Sequence, residues 1–329
     1  MKKLFIALVM SILVLSLAAC TVGSGKKGEV KEAYIIQFVS DPALDRATEG
    51  IIKGLKEKGF EEGKNINITV MNPEAESAKL LQMAETAVQK ADIIFAIATP
   101  VAIAVANEVE KQFSDVPVLF TAVTDPVASG IIENDTKPGK NVSGTSDLNP
   151  VADQVALLKE LNPSATKLGF IYTTGESNSE IQLEMARTAC RALGINVEAR
   201  SATNSTDIEQ VLDALISAGI DALYIPTDNG IASQMNFVAE KCNAAKIVTI
   251  CGESGQLTNG GIMTIGSVDY LELGRMTGVM GANALNGAKV SEMAVQRFSS
   301  EELVINKAKV AEFELNVPEA LLNKASDIK

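Results

Sequence analysis

Three carboxylates stand where apolar runs of the sequence give way to short loops: Asp147, Asp228 and Glu253. A carboxylate held out of water there would take a cation such as an ammonium group, because a buried charge has to be paired. Asp228 equally suits the N-cap of the helix that follows it, Asp147 equally suits a contact that steadies a crossover, and Glu253 equally suits an ordinary surface acid. Thr99-Pro100-Val101 opens a helix, where unpaired backbone N–H groups and the positive dipole end favour an anion such as a carboxylate. Thr99 could also be a plain N-cap. Thr124, followed by Asp125 and Pro126, offers a second hydroxyl to the same anion. Ser40, Ser177, Asn178, Thr227 and Asn229 add neutral hydrogen-bonding groups in comparable loops. Phe38 and Tyr172 fall at or next to the ends of equivalent strands; each could stack on a planar group for about 0.5–1.5 kcal/mol, or simply fill a core.

Other chemistry is excluded by what the chain lacks. It has no histidine, so Ser-His-Asp and Cys-His catalysis and histidine-ligated zinc are ruled out. Cys190, Cys242 and Cys251 form no CxxC and, beside Cys20, read as small core residues. Paired carboxylates such as Asp228 and Glu253 could in principle act on a glycoside, but no nucleophile motif, metal constellation or phosphate loop accompanies them. A non-enzyme without a cofactor is therefore expected. The net charge of −12 argues against nucleic acid, which needs clustered Lys and Arg.

The elements that must position these residues come in two similar sets. Strand patterns at 33–39, 66–71, 93–98 and 116–122 alternate with amphipathic helices at 46–58, 76–90 and 101–113. The order repeats about 130 residues later, with strands at 167–172, 196–199, 222–225 and 246–251 and helices at 180–193, 207–217 and 231–243. Strands apolar at every position belong in parallel sheets covered on both faces, and Gly59 and Gly194 end the first helix of each set. The fold class is α/β, with two doubly wound parallel-sheet domains. Residues 140–150, 262–268 and the extended pieces 294–298 and 303–305 provide three crossings, which make a hinge. One lobe is assigned 33–145 plus 266–293, the other 146–265 plus 294–329. Doubly wound sheets bind ligands at the carboxyl ends of their strands, so the loops named above should converge on an interlobe cleft.

Lys2 and Lys3 precede an apolar run from Leu4 to Leu17, shorter than the roughly 20 residues that span a bilayer. Leu17-Ala18-Ala19-Cys20 resembles the lipobox of bacterial lipoproteins, which implies a leader 1–19, a lipid on Cys20 and a flexible tether over 20–32. The segments IATPVA (97–102), FTAVTDPV (120–127), NVSGTSD (141–147) and INKAKVAEFELNVPEALLNKA (305–325) are similar to the tryptophan/tyrosine-type substrate-binding lipoproteins. These belong to the type I periplasmic-binding fold that serves ABC importers. The resemblance implies capture of an aromatic amino acid by hinge closure, delivery to an ABC permease, and anchoring outside the cell membrane. Nucleoside or sugar binding on the same fold, or a sensing or adhesive surface role, are the alternatives it leaves. It raises the stacking reading of Phe38 and Tyr172. Removing Asp228, as the candidate ammonium partner, should weaken binding by roughly 30-fold or more.

Overall fold

The computed structural model describes residues 30–297 and 301–328. The expected leader, Cys20 and most of the tether lie outside them. No helix among the described residues is long and apolar enough to cross a membrane.

In the first lobe the strands are β1 (Lys31–Gln37), β2 (Ile66–Met71), β3 (Ile93–Ile97), β4 (Val118–Thr121) and β5 (Val142–Ser146). The second lobe carries β6 (Lys167–Thr173), β7 (Asn196–Ala202), β8 (Ala222–Ile225), β9 (Val248–Cys251) and β10 (Met263–Ile265). Three short strands follow: β11 (Gln296–Arg297), β12 (Leu303–Ile305) and β13 (Ser326–Asp327). The sheets run β11-β5-β4-β3-β1-β2 and β13-β12-β10-β9-β8-β6-β7. All pairs are parallel except the antiparallel β10–β12 pair. β3, β4, β5, β8 and β9 are buried at every position, as strands covered by helices on both faces must be. The edge strands β2 and β7 keep exposed positions. In both sheets strand order reverses beside the first strand of the lobe, and that switch point opens a crevice at the carboxyl ends.

The two expected cap glycines hold left-handed backbone, Gly59 at φ 90 and Gly194 at φ 67. Several helices begin earlier than their apolar spacing indicates. They span Pro42–Glu57, Thr99–Lys111 and Ser177–Ala192, starting at prolines or polar residues that stand outside the apolar spacing. The helix expected over 231–243 is broken into Asn229–Ala232 and Met235–Ala244.

The chain passes between the two sheets after β5 and leaves the second after β10. Gln296 and Arg297 pair with Thr145 and Ser146, so they belong to the first sheet rather than the second lobe, while β12 from Leu303 lies in the second sheet. Ser146, too, is the last residue of β5. The stretch 294–298 read as extended, but two polar edge residues carry nothing that says which sheet they join.

One contact fixes the cleft geometry from within the first lobe. Helix Pro42–Glu57 packs parallel to helix Tyr270–Leu285 through Gly50, Gly54, Gly274 and Gly278. A Cβ on any of the four would meet a carbonyl oxygen of the facing helix at 2.1–2.2 Å. The backbones therefore touch, and both helix N-termini, at Asp41 and Tyr270, are delivered to the mouth of the cleft.

Candidate ligand-binding site

The first-lobe wall is built from three strand ends. Asp41 caps helix Pro42–Glu57, its carboxylate accepting from Ala43 N at 2.9 Å. After β3 the chain passes through Ala98 at φ 79, ψ 153, a region open in practice only to glycine. After β4, Ala122 stands at φ 55. These two strained turns aim Thr99 and Thr124, each 2% exposed, at the crevice. Thr99 is the first residue of its helix, and Ala98 occupies the cap position without a side-chain hydrogen bond. First-turn N–H groups have no intrahelical partner, so this helix start keeps donors for an anion.

The second-lobe wall is held by two buried acids. Asp228 accepts from Thr173 N (2.7 Å), Thr173 Oγ1 (2.6 Å), Ser179 Oγ (2.6 Å) and Ile231 N (2.8 Å). Glu176 accepts from Asn229 N, Asn229 Nδ2, Gly230 N and Asn178 Nδ2 at 2.6–3.1 Å. Burial, and then the charge of Asp228, push the Glu176 carboxyl above its ordinary value. Together the two acids lock the loop that presents Thr227 and Asn229. Gln182 donates through Nε2 to Thr227 Oγ1 at 2.7 Å, leaving the Thr227 hydroxyl to meet Thr124 Oγ1 of the other lobe at 3.2 Å.

At the hinge, Asp147 is 4% exposed and its Oδ2 accepts from the Tyr270 hydroxyl at 3.0 Å. Its Oδ1 is buried and has no hydrogen-bond partner among the described residues. Asn178 Oδ1 is in the same position. Burial pushes the Asp147 carboxyl up to about 6, against the pull of the Tyr270 hydroxyl, a backbone N–H, the Thr124 hydroxyl and, most weakly, Arg297. Glu253 accepts from Gly255 N; burial pushes it up to about 7, with the charges of Asp41 and Asp147 adding to the rise. Burial also raises Asp41. Acids from the first lobe, the hinge and the second lobe thus share one small space of about 40 Å3. Among the described residues that line it, none is Lys or Arg. Such a site suits a ligand that brings its own positive charge and is bound through hydroxyls, amides and backbone N–H groups elsewhere.

Of the expected residues, Thr99, Thr124, Asp147, Asn178, Thr227, Asp228, Asn229 and Glu253 line this space together. Phe38, Ser40, Pro100, Val101, Asp125, Tyr172 and Ser177 do not. Phe38 and Val101 pack in the first-lobe core, and Tyr172 lies edge-on to Phe170 beside the second-lobe core. Ser40 is exposed just past β1. Asp125 turns its carboxylate to Val127 N and Ala128 N. Pro100 and Ser177 sit in helix first turns, half-buried and off the cavity wall. Asp41, which follows Ser40 in the loop expected at the cleft, lines the space, and so do Gln256 and Tyr270, which were not singled out. Asp41 and Tyr270 each carry a readable signal, a residue at the start of a glycine-bearing helix. The structural cysteines are as expected: Cys190, Cys242 and Cys251 are buried and free.

The profile of the family described as ABC transporter substrate binding protein matches residues 32–329. A protein named tyrosine-binding protein from Clostridioides difficile (strain R20291) is 37% identical over 278 residues, 84% of this chain and 79% of that protein. An ABC domain in complex with L-Trp from Streptococcus pneumonia is 31% identical with a TM-score of 0.83, covering 92% of this chain and all of that one. The ligand-free, open structure of a substrate binding protein with adhesive properties from Clostridium difficile is 35% identical, with a TM-score of 0.66 over 91% of this chain and 99% of that one. Its paired α/β lobes, its hinge and the match along nearly the whole described chain make this protein a member of the ABC transporter substrate binding protein family.

Proposed function

We infer that the protein captures an aromatic amino acid (Tyr, Trp or Phe) in the interlobe cleft and delivers it to an ABC permease. The observation that carries this is Asp147: a buried carboxylate at the hinge whose Oδ1 has no hydrogen bond, in a small space with no Lys or Arg among the described residues that line it. A ligand ammonium satisfies it, while Thr99, Thr124 and the first turn of helix Thr99–Lys111 receive the α-carboxylate. This geometry is closed, since Thr124 and Thr227 meet across the lobes. In keeping with that, similarity is higher to the L-Trp complex than to the ligand-free open neighbour, though identity to the two is comparable. The ligands named for the relatives, tyrosine and L-Trp, support the aromatic class.

The lipobox-like sequence supports export, removal of residues 1–19 and lipid attachment at Cys20. The tether then holds an extracytoplasmic receptor beside its permease on the cell membrane. Thermal-shift screening against the twenty amino acids and common nucleosides tests the ligand class. Stabilisation by Phe, Tyr or Trp is expected; a shift from a nucleoside alone would sink the reading. Cys20→Ser should move the protein from the membrane fraction to the soluble one.

A further inference from the structure

Helix Thr99–Lys111 closes on a Schellman turn, with Ser114 N donating to Val109 O at 3.0 Å and Phe113 N to Glu110 O at 3.2 Å. The left-handed position of that turn holds Phe113, at φ 53. Elsewhere the chain puts glycine there and a hydrophobic residue next, as in Gly59-Phe60, Gly194-Ile195 and Gly219-Ile220. That next residue packs back on its helix; Ile195 and Ile220 are each 5% exposed. At the end of Thr99–Lys111 the order is shifted by one. Phe113 takes the strained position, Ser114 follows, and Phe113 is left 94% exposed. Among the described residues it is the one aromatic at positive φ. A bulky side chain in that region costs the fold energy, and a ring left in water recovers none of it.

The surroundings of Phe113 indicate what covers it. Five residues later the chain enters β4, which lies two strand spacings, about 10 Å, from β1. Both strands begin at the amino end of the sheet, the pole opposite the cleft. Val30, 42% exposed, precedes β1 there and stands ten residues after Cys20. Ten residues reach at most about 35 Å, so a lipid on Cys20 keeps this pole at the bilayer. Lys58, Lys64, Lys90, Lys111 and Lys140 stand at the same pole. Three of them pair with Glu61, Glu108 and Glu110. In a chain of net charge −12 this is a face that anionic lipid does not repel, and its attraction is apolar.

We propose that this pole of the first lobe rests on the lipid bilayer, with the ring of Phe113 inserted at the boundary between headgroups and acyl chains. The proposal rests on the lipid anchor inferred above and adds a second contact to it. An anchored molecule then stands with the carboxyl ends of its first sheet, and so the cleft, away from the bilayer and open to solute.

The chain contains no tryptophan, so Phe113→Trp reports from a single indole, as does a control, Phe237→Trp, at a 41% exposed position on the second lobe. The mature chain is coupled through the Cys20 thiol to a maleimide lipid in phosphatidylcholine vesicles that contain phosphatidylglycerol. Chemical coupling tests the docking whether or not cells acylate Cys20, which the fractionation of Cys20→Ser decides. The other thiols stay unreacted because burial raises Cys190 to about 11 and Cys242 to about 12, and raises Cys251 further. On coupling, Phe113→Trp emission should move to shorter wavelength and be quenched by brominated lipid chains, equally at high salt. Phe237→Trp emission should do neither. Phe113→Gly, which relieves the left-handed strain, should raise the melting temperature of the free chain by about 2 °C. Phe113→Trp emission unchanged by coupling would overturn the proposal. So would a shift without quenching by bromine, which would mean that a second copy of the chain covers the ring. A lowered melting temperature in Phe113→Gly would overturn it too, since Phe113 would then serve its own fold.

Discussion

At the scale of residues, acids that looked alike in the sequence do different work. Asp228 had the strongest local claim to an ammonium, yet all its hydrogen-bonding capacity is spent inside its own lobe. Asp228→Ala should therefore act mainly on stability, by about 2–4 kcal/mol for a lost cap and orphaned buried donors, read from urea melts. Asp147→Asn should act on affinity. Losing one partner of a buried charged pair costs about 2–5 kcal/mol, or roughly 30-fold to several thousandfold in Kd by titration calorimetry, while ligand-free stability above pH 7 should rise because the amide leaves no charge to bury. The same acids give the sign of the pH response. Asp147 and Glu253 are raised to about 6 and about 7 from 3.8 and 4.5. Their protonated forms favour the folded chain, so the stability they contribute is complete below the unfolded values and is lost as pH rises through 6 to 7. Ligand-free melting temperature should fall from about pH 5 to pH 8 on their account, while affinity for an ammonium ligand rises over the same window. A flat affinity profile across that range would count against an ammonium bound at these carboxylates.

At the scale of elements, the periodic strands and the two sets of helices were legible because buried parallel strands leave no polar positions. Helix starts were less so, because polar residues break the apolar spacing from which a helix is read. Ser177 and Asn229 read as loop and prove helical, and the start at Thr99 was legible only through Pro100. The glycines of helix Tyr270–Leu285 were visible, but their purpose appears only with the facing Gly50 and Gly54. Gly54→Ala should force the two backbones apart at a cost of about 1–3 kcal/mol, lowering the melting temperature. Since Asp41 and Tyr270 ride on these helices, ligand affinity should fall with it. Unchanged stability in Gly54→Ala would mean that the helices can separate freely.

At the scale of the whole molecule, the lobes meet through the Thr124–Thr227 hydrogen bond and through the shared acids, and these act in opposite senses. The hydrogen bond favours closure; Asp41 and Glu253, brought from different lobes into one space, oppose it when both are ionised. A ligand ammonium between them removes the opposition, which is how binding can shift the hinge equilibrium. Thr227→Val deletes the interlobe bond, worth about 1 kcal/mol, and should reduce the ligand-free closed population about fivefold in scattering or distance measurements between labels on the lobes. The sequence by itself determined the two doubly wound lobes and the loops at the strand ends, because burial periodicity and turn residues are local and survive in one dimension. Which acid is left unpaired and which lobe claims Gln296 and Arg297 were decided only by tertiary structure. Those depend on which donors distant segments bring to each carboxylate, and no local pattern encodes a partner more than a hundred residues away.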